Sequence, residues 1–472
     1  INVALPSMQR DLNASATDLQ WIVDSYAIVF AGTLLTAGAI GDRFGRKLAL
    51  IGGLVVFSLA SLMGALADTS NMVIVARGLS GIGAAFVMPA TLSMISAIFA
   101  PAERAKAIAI WAGFAGAGGA LGPLIVGFLL TGWWVVPAFG WESAFVMNVV
   151  TSLVVLVAIA IWSPRSRDDE STALDPFGAS LSLVGLGSLL YGIIEGPEQG
   201  WGSVGVLGAF AVAVVALVGF VAWELHTEHP TLPMRFFRNR SFSTGCAVIT
   251  FGFLVMFGFF FLITQYFQFV RGYSPFKAGA ANLPFALTMI VLSPRSAGLV
   301  ERFGINRVMG VGFTSISLGF VVLALVTPSS PYLMIVVALV LLASGMALSI
   351  APATGAIMSA VPLNKAGVGS AVNDTTRELG GSLGIAILGS IVASSYRDRF
   401  DTSGLADDAA ELAGESMGGA IRVGQSIGGP EGAALIERAG AAFTDAVNLA
   451  FGVSAVIAVI VGSLVVIAGR RT

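Results

Sequence analysis

Thirteen apolar stretches divide this chain, each close to the roughly 20 residues that a helix needs to cross a bilayer. They fall near 20–40, 48–67, 72–98, 106–132, 143–163, 176–196, 204–225, 243–271, 277–299, 308–327, 332–360, 367–396 and 443–468. Hydrocarbon offers the backbone no hydrogen-bond partners, so segments of this kind must be helical. The fold class that follows is an all-α polytopic membrane protein. Composition agrees: 11% of the residues are charged, against about 25% in soluble domains. A net charge of −2 gives no reason to expect a nucleic-acid partner. A single cysteine, Cys246, excludes an intrachain disulfide, and two histidines without a Cys/His cluster give no metal-site signal.

The opening residues "INVALPSMQRDL" are too few to span a bilayer. They read as the tail of a first span that begins before Ile1, which brings the expected number to fourteen. The other reading, a cleaved signal peptide, lacks a small-residue cleavage pattern. Lys and Arg set the orientation. One set of loops carries 16 of the 25: Arg43, Arg46, Lys47, Arg104, Lys106, Arg165, Arg167, Arg235, Arg238, Arg240, Arg295, Arg302, Arg307, Lys365, Arg470 and Arg471. The opposite set carries Arg10, Arg271, Lys277, Arg397, Arg399, Arg422 and Arg438, four of them in the long 397–442 connection. The richer set is expected to face the cytoplasm, with both chain ends inside.

A repeat divides the chain in two. "GDRFGRK" at 41–47 reappears as "VERFGIN" at 300–306, and "PATLSMISAIFAPAERAKA" at 89–107 as "PATGAIMSAVPLNKAGVG" at 352–369. The two matches keep their order at nearly one offset. They predict two six-helix bundles, residues 1–163 and 242–472, with an inserted helical pair and its linkers at 164–241. Parallel repeats of this kind place a transport pathway between the halves. No sequence of the form G-x-x-x-x-G-K-[ST] is present, so energy would come from an ion gradient or from the substrate's own.

The motifs themselves resemble a known family. "GAIGDRFGRK" is similar to the loop after span two of the major facilitator superfamily. "ARGLSGIGAAFVMPA" (76–90) is similar to its fourth span with the intramembrane Arg77, and "AGAGGALGPLIVG" (115–127) to its antiporter motif. "NVALP", "PTLPMRFFRNRSF" and "FFLITQYFQFVRGYSPFKAGAANLP" resemble the fourteen-span drug:proton antiporter branch, the QacA-like quaternary-ammonium and multidrug pumps. The resemblance implies a major facilitator fold and exchange of drugs for protons, with no cofactor. It also implies a conformational latch at Gly38, Asp42, Arg43, Gly45, Arg46 and Lys47, with Glu301 and Arg302 as the repeated counterparts. In the family the acid at the Asp42 position holds the start of the helix that here is 367–396. Gating in the antiporter motif would fall to Gly118, Gly122, Pro123 and Gly127, whose small or kinking residues allow close packing and bending. Departures are "NVV" with Val150 in place of Asn-Val-Pro, and Ile305 and Asn306 in place of Arg46 and Lys47.

Charges inside spans single out further residues, because an ion at the bilayer centre costs at least about 2.5–3.5 kcal/mol. Asp24 and Arg77 lie at similar depth, and Asp24 is expected either to titrate in the field of Arg77 or to snorkel to the headgroups. "VGSAVNDTTRELGGSLG" (368–384) brings Asp374, Arg377 and Glu378 into one turn and a half. A span starting at Leu379 would leave them at the interface. The repeat instead starts the helix near Gly367 and puts Asp374 roughly 10 Å into the membrane. Asp374 and Glu378, spaced i,i+4 with Arg377 beside them, then form a candidate substrate and proton site. "FGFFFLITQYFQF" (257–269) offers Phe261, Tyr266, Gln265 and Gln268 as lining for flat lipophilic cations. Glu195 reads as a surface acid of an outer loop.

The reading that results is a proton-coupled efflux antiporter for lipophilic, often cationic compounds. It would be monomeric, embedded among lipids in the inner membrane of a bacterium. Export of a lipid or an endogenous metabolite is the alternative within transport, and a membrane scaffold or receptor the alternative outside it. No nucleophile–base set or metal cluster points to an enzyme.

Overall fold

The computed structural model describes residues 4–12, 14–131, 139–163 and 175–469. Arg165, Arg167, Arg470 and Arg471, counted toward the orientation, lie outside the described residues, as do the side chains of Arg10 and Pro123. The described elements are helical: α1 (Leu5–Asp11), α2 (Ala16–Phe44), α3 (Arg46–Ala65), α4 (Ser70–Ile98), α5 (Pro101–Thr131), α6 (Ser143–Trp162), α7 (Pro176–Gln199), α8 (Val204–His226), α9 (Arg240–Gln265), α10 (Pro275–Ala280), α11 (Leu283–Phe303), α12 (Ile305–Leu323), α13 (Tyr332–Ser359), α14 (Ala366–Arg399), α15 (Asp407–Glu415), α16 (Met417–Ile427) and α17 (Gly429–Gly469). Twelve of the described helices are long and apolar enough to cross a membrane, and α5 adds a further helix of 31 residues. Each matches one of the expected stretches. The seven residues of α1 are too few to span.

Polar side chains start many of these helices. Ser15 and Asp18 form a reciprocal capping box at the head of α2 (3.0 and 3.1 Å), and Thr69 caps α4. The two repeated motif turns share one backbone solution. Gly45 (φ 107°) and Gly304 (φ 82°) reverse the chain in the left-handed region, where a side chain would be strained. Gly41, the first residue of the "GDRFGRK" motif, belongs to the last turns of α2.

Small residues seat the helices against one another, as lipid provides no hydrophobic drive for helix pairing. A Cβ on Gly53 of α3 would stand 2.8 Å from the Gly83 carbonyl oxygen of α4. The same contact recurs between α12 and α13, where a Cβ on Gly312 would stand 2.9 Å from the Gly345 carbonyl oxygen. The repeat therefore preserves a packing point as well as a motif. Helix α9 is the most enclosed of the spans, whereas α6 and α8 are the least. Val154, Val157 and Ile161 of α6 and Val214, Val215 and Val218 of α8 are exposed, as suits side chains solvated by lipid.

Helices of the first repeat meet those of the second along α5–α11 and α2–α14, and α4 also touches α14. The inserted pair is not a separate appendage, because α7 packs on both α2 and α14. One end of the molecule carries Arg43, Arg46 and Lys47 and is called the basic end below. There the pair is tied to its own linker. Glu224 of α8, 4% exposed, accepts the N–H groups of Thr231 (3.2 Å) and Leu232 (3.1 Å). Asp175 accepts the Trp223 indole N–H (2.7 Å) and caps Gly178 (2.9 Å). Hydrogen bonds to a charged group contribute about 1.5–3 kcal/mol each. Glu224→Ala is therefore expected to lower the unfolding temperature in detergent by several degrees, and Glu224→Gln by less.

The expected long loop 397–442 is largely helical. Its α15 and α16 pack with the first turns of α17, through Ala413, Met417, Val423 and Leu435 among others. Helix α17 is also longer than the apolar run beginning at 443. Its 41 residues give about 60 Å, twice a hydrocarbon core of about 30 Å. The excess carries the helical cap at the opposite end, where hydrophobicity alone could not reveal it.

Candidate functional site

At the basic end, Asp42 closes α2 against α14. Its Oδ1 accepts the Gly367 N–H (2.8 Å) and its Oδ2 the Val368 N–H (3.1 Å). These are orphan donors of the first turn of α14, where the helix dipole favours an anion. Arg46 stands 3.5 Å from Asp42 Oδ1 and also donates to the Leu363 carbonyl. The backbones touch here: a Cβ on Gly38 would lie 2.6 Å from the Gly367 carbonyl oxygen. Lys47 serves another purpose, donating to the carbonyls of Ala160 (3.2 Å) and Ser163 (2.6 Å) at the negative end of α6. Arg43 lies over the Phe44 ring, 5.4 Å from its centroid.

Glu301 and Arg302 do not repeat this clasp. Both are exposed, Glu301 accepts no hydrogen bond among the described residues, and Arg302 lies over Phe303. With Ile305 and Asn306 in place of a basic pair, nothing there turns the acid toward a helix start.

The antiporter-motif glycines are also placed differently from expectation. Contact between α5 and α11 is made at Gly113 and Gly116, where Cβ atoms would meet Ser293 (3.1 Å) and Met289 (2.7 Å). Ser293 also donates to the Ala109 carbonyl (2.6 Å). Cβ atoms on Gly118 and Gly122 would meet nothing within 4 Å. Their repeat counterparts on α14, Gly380 and Gly384, lie against the Thr250 and Leu254 carbonyls of α9. Gly127 is buried.

On the other side of the clasp, α2, α4, α7, α9 and α14 surround a cavity of about 1060 Å³. Asp24 and Gln20 from α2, Arg77 from α4, Glu378 from α14 and Glu415 of the cap all line it. Arg77 donates to the Ile22 carbonyl (2.9 Å) and lies over the Tyr26 ring, 4.3 Å from its centroid. Its charge is thus held by α2 on the same wall as Asp24. The Gln20 amide nitrogen is buried without a partner.

From α9 a stripe with a period of four residues reaches the cavity: Phe257, Phe261, Gln265 and Phe269. Tyr266 and Gln268 do not. A π-helical turn over Tyr266–Val270 ends the helix, and the Tyr266 hydroxyl donates to the Thr327 carbonyl (2.9 Å). Arg271 clamps the same loop through the Pro328 and Ser330 carbonyls (3.0 and 2.7 Å). Tyr266 is therefore an interior anchor of its helix end, and Gln268 lies off the stripe. Glu195, read as a surface acid, is 2% exposed and accepts from the Gln199 amide (2.7 Å).

Asp374, one turn nearer the basic end than Glu378, and Arg377, beside Glu378 in sequence, both sit outside the cavity lining. Asp374 is 1% exposed. Its Oδ1 lies 3.5 Å from Arg377 Nη1 and 3.3 Å from the Asn373 amide, and its Oδ2 has no partner. The Arg377 guanidinium is sandwiched between Phe253 of α9 (4.6 Å) and Trp111 of α5 (5.4 Å). The two acids thus share a face of α14 but not a compartment: the arginine pairs with Asp374 and leaves Glu378 to the cavity.

Trp111 donates to Thr91 Oγ1 (3.3 Å), while Thr354 donates to Asn373 Oδ1 (3.1 Å). Thr91 and Thr354 are the threonines of the two "PAT" repeats. Each supports a residue beside the ion pair, one from each half. Trp111, Asn373, Phe253 and Gln20 escaped the sequence reading. For these four, the "PAT" repeat is the signal in the sequence that bears on Trp111 and Asn373, through Thr91 and Thr354.

The sequence matches the Major Facilitator Superfamily over residues 1–385. It is 32% identical over 470 residues to the multidrug efflux pump LfrA of Mycolicibacterium smegmatis, covering 99% of this chain and 92% of that one. To the methyl viologen resistance protein SmvA of Salmonella typhimurium it is 33% identical over 446 residues, covering 94% and 89%. Among solved structures, the proton:xylose symporter XylE superposes with a TM-score of 0.63 at 13% identity, covering 98% and 90%; that likeness concerns the fold alone.

Proposed function

The chain belongs to the major facilitator superfamily, and from that premise we propose that it is a proton-coupled multidrug efflux antiporter. It exports lipophilic, often cationic compounds by alternating access. The observation that carries this reading is the buried Asp374–Arg377 pair, with one carboxylate oxygen unpartnered, directly beneath an aromatic cavity that also holds Asp24 and Glu378. A buried polar atom left unpaired costs about 1–3 kcal/mol. A helix that keeps such an atom at the meeting of two halves is suited to a passing proton or cation. The cavity's acids outnumber its arginine, and Arg77 is already engaged with Tyr26 and Ile22. Flat cations gain further from Phe257, Phe261 and Phe269.

With the basic end facing the cytoplasm, the cavity opens outward. The Asp42 clasp then closes the inner side. Opening it and closing the outer side exposes the same residues to the cytoplasm. The proton enters from outside onto a carboxylate of the cavity or the buried pair, and the substrate leaves in exchange. No cofactor takes part, and a monomer suffices, surrounded by lipid.

Purified protein in liposomes, given tetraphenylphosphonium and an imposed pH gradient, tests the reading. Transport that follows the gradient and declines in Asp24→Asn is the expected result. Transport indifferent to the gradient overturns proton exchange, and no transport of the cation in any condition overturns the substrate class.

A further inference from the structure

The inserted pair takes part in the cavity itself. Helix α7 lies against both α2 and α14 and so closes the side between the two halves. The approach to α2 is close, since a Cβ on Gly32 would stand 3.0 Å from Leu183 Cδ1 and 3.1 Å from the Leu183 carbonyl oxygen. The last turns of α7 then bring Ile194 and Pro197 to the cavity wall.

That end of α7 is held in place by specific contacts. Glu195, buried between the two lining residues, is bound by Gln199 (2.7 Å). Tyr191 packs on Trp21 of α2, with ring centroids 6.1 Å apart. Gly196 has no side chain to displace Trp201, whose ring a Cβ would approach to 2.6 Å. Trp201 in turn stacks on Phe210 of α8 at 4° between planes. A carboxylate in this position is costly unless bonded, and its amide partner lies one turn along the same helix.

We propose that α7 is a wall of the substrate cavity and that Ile194 and Pro197 are specificity-determining residues for bulky lipophilic cations. This deepens the transporter reading and rests on it. Ile194 is branched and apolar and lines the same cavity as the α9 aromatic stripe, so its size sets how large a cation fits. The inserted pair would then tune what is exported, in addition to sealing the cleft from lipid.

The test uses a Cys246→Ser background with single Ile194→Cys, Pro197→Cys or Ser382→Cys substitutions, the last marking the cavity on α14. Each is treated with a membrane-impermeant maleimide with and without tetraphenylphosphonium. The expected result is labelling at all three positions, with protection by the cation. In parallel, Ile194→Ala and Ile194→Trp should shift the ratio of tetraphenylphosphonium to methyl viologen transport in opposite directions, each by about tenfold, at equal surface expression. Protection at Ser382→Cys without labelling or protection at Ile194→Cys and Pro197→Cys, or an unchanged transport ratio, overturns the role of α7 and leaves the transporter reading standing. Absence of protection at Ser382→Cys, with no cation transport by the parent protein, overturns both.

Discussion

Asp374→Asn is expected to cut efflux of a lipophilic cation by about 100-fold or more while the protein still reaches the membrane. Asp374 is the countercharge of an arginine enclosed between Trp111 and Phe253. Removing one partner of a buried ion pair costs about 3–5 kcal/mol, because the other charge is left uncompensated. Asparagine keeps the shape and a hydrogen-bonding oxygen for Asn373, and the two rings still face the guanidinium, so the helix retains its surroundings. What it loses is the negative charge and the protonatable oxygen, one turn below Glu378. An arginine without its counterion also repels a cation entering the cavity above. Efflux from cells, normalised to surface expression, measures the effect. A combined Asp374→Asn, Arg377→Met variant separates the two contributions. Recovery of expression without recovery of efflux assigns Asp374 to transport, whereas parallel loss of expression and efflux in the single variant assigns it to structure.

Gly38→Val is expected to hold the basic end open and arrest the cycle. The new side chain must enter the space of the Gly367 carbonyl and the Ala371 methyl, 2.6 and 2.9 Å from its Cβ. A carbonyl within a helix cannot give way as the tip of a flexible side chain does, so α2 and α14 must part. Parting them breaks both Asp42 bonds to the start of α14. At about 1.5–3 kcal/mol for each bond to a charged group, the closed state loses a factor of about 100 to 10,000 in population. Asp42→Asn weakens the same bonds without the steric wedge and should act in the same direction, to a smaller degree. An Ala371→Cys reporter in the Cys246→Ser background, probed with an impermeant maleimide in inverted vesicles, reads the opening. Labelling should rise about tenfold or more in Gly38→Val while transport falls. Lost transport with unchanged labelling would mean that the glycine contact does not gate access.

Some of this architecture was legible before any coordinates. Long apolar runs have a single solution in lipid, so the ends of α6 and α13 fall within one residue of expectation. The repeat placed the start of α14 near Gly367, and the helix begins at Ala366. Elements held by contacts between distant segments were not legible. The 397–442 connection has a polar surface and reads as a loop, yet Ala413, Met417 and Leu435 bury one another across three helices. Glu195 reads as a surface acid because its burial depends on Gln199 and on helices that arrive later in the chain.

The site divides along the same line. Apolar runs, the internal repeat and the cost of intramembrane charge suffice to read a membrane-spanning chain of two related halves in which Asp24, Arg77 and Asp374 need partners. Hydropathy period, charge cost and motif spacing are local quantities, and they suffice for that. Which charges share a compartment depends on how the helices pack. The packing sends Asp374 and Arg377 into an aromatic layer between the halves, and Glu378 and Asp24 into the cavity. It puts Phe261 and Gln265 on the wall, and Tyr266 and Gln268 off it. The physical reason is that a helix face acquires a meaning only from what lies opposite, and in this protein the opposite wall comes from a segment a hundred or more residues away, or from the inserted helix α7.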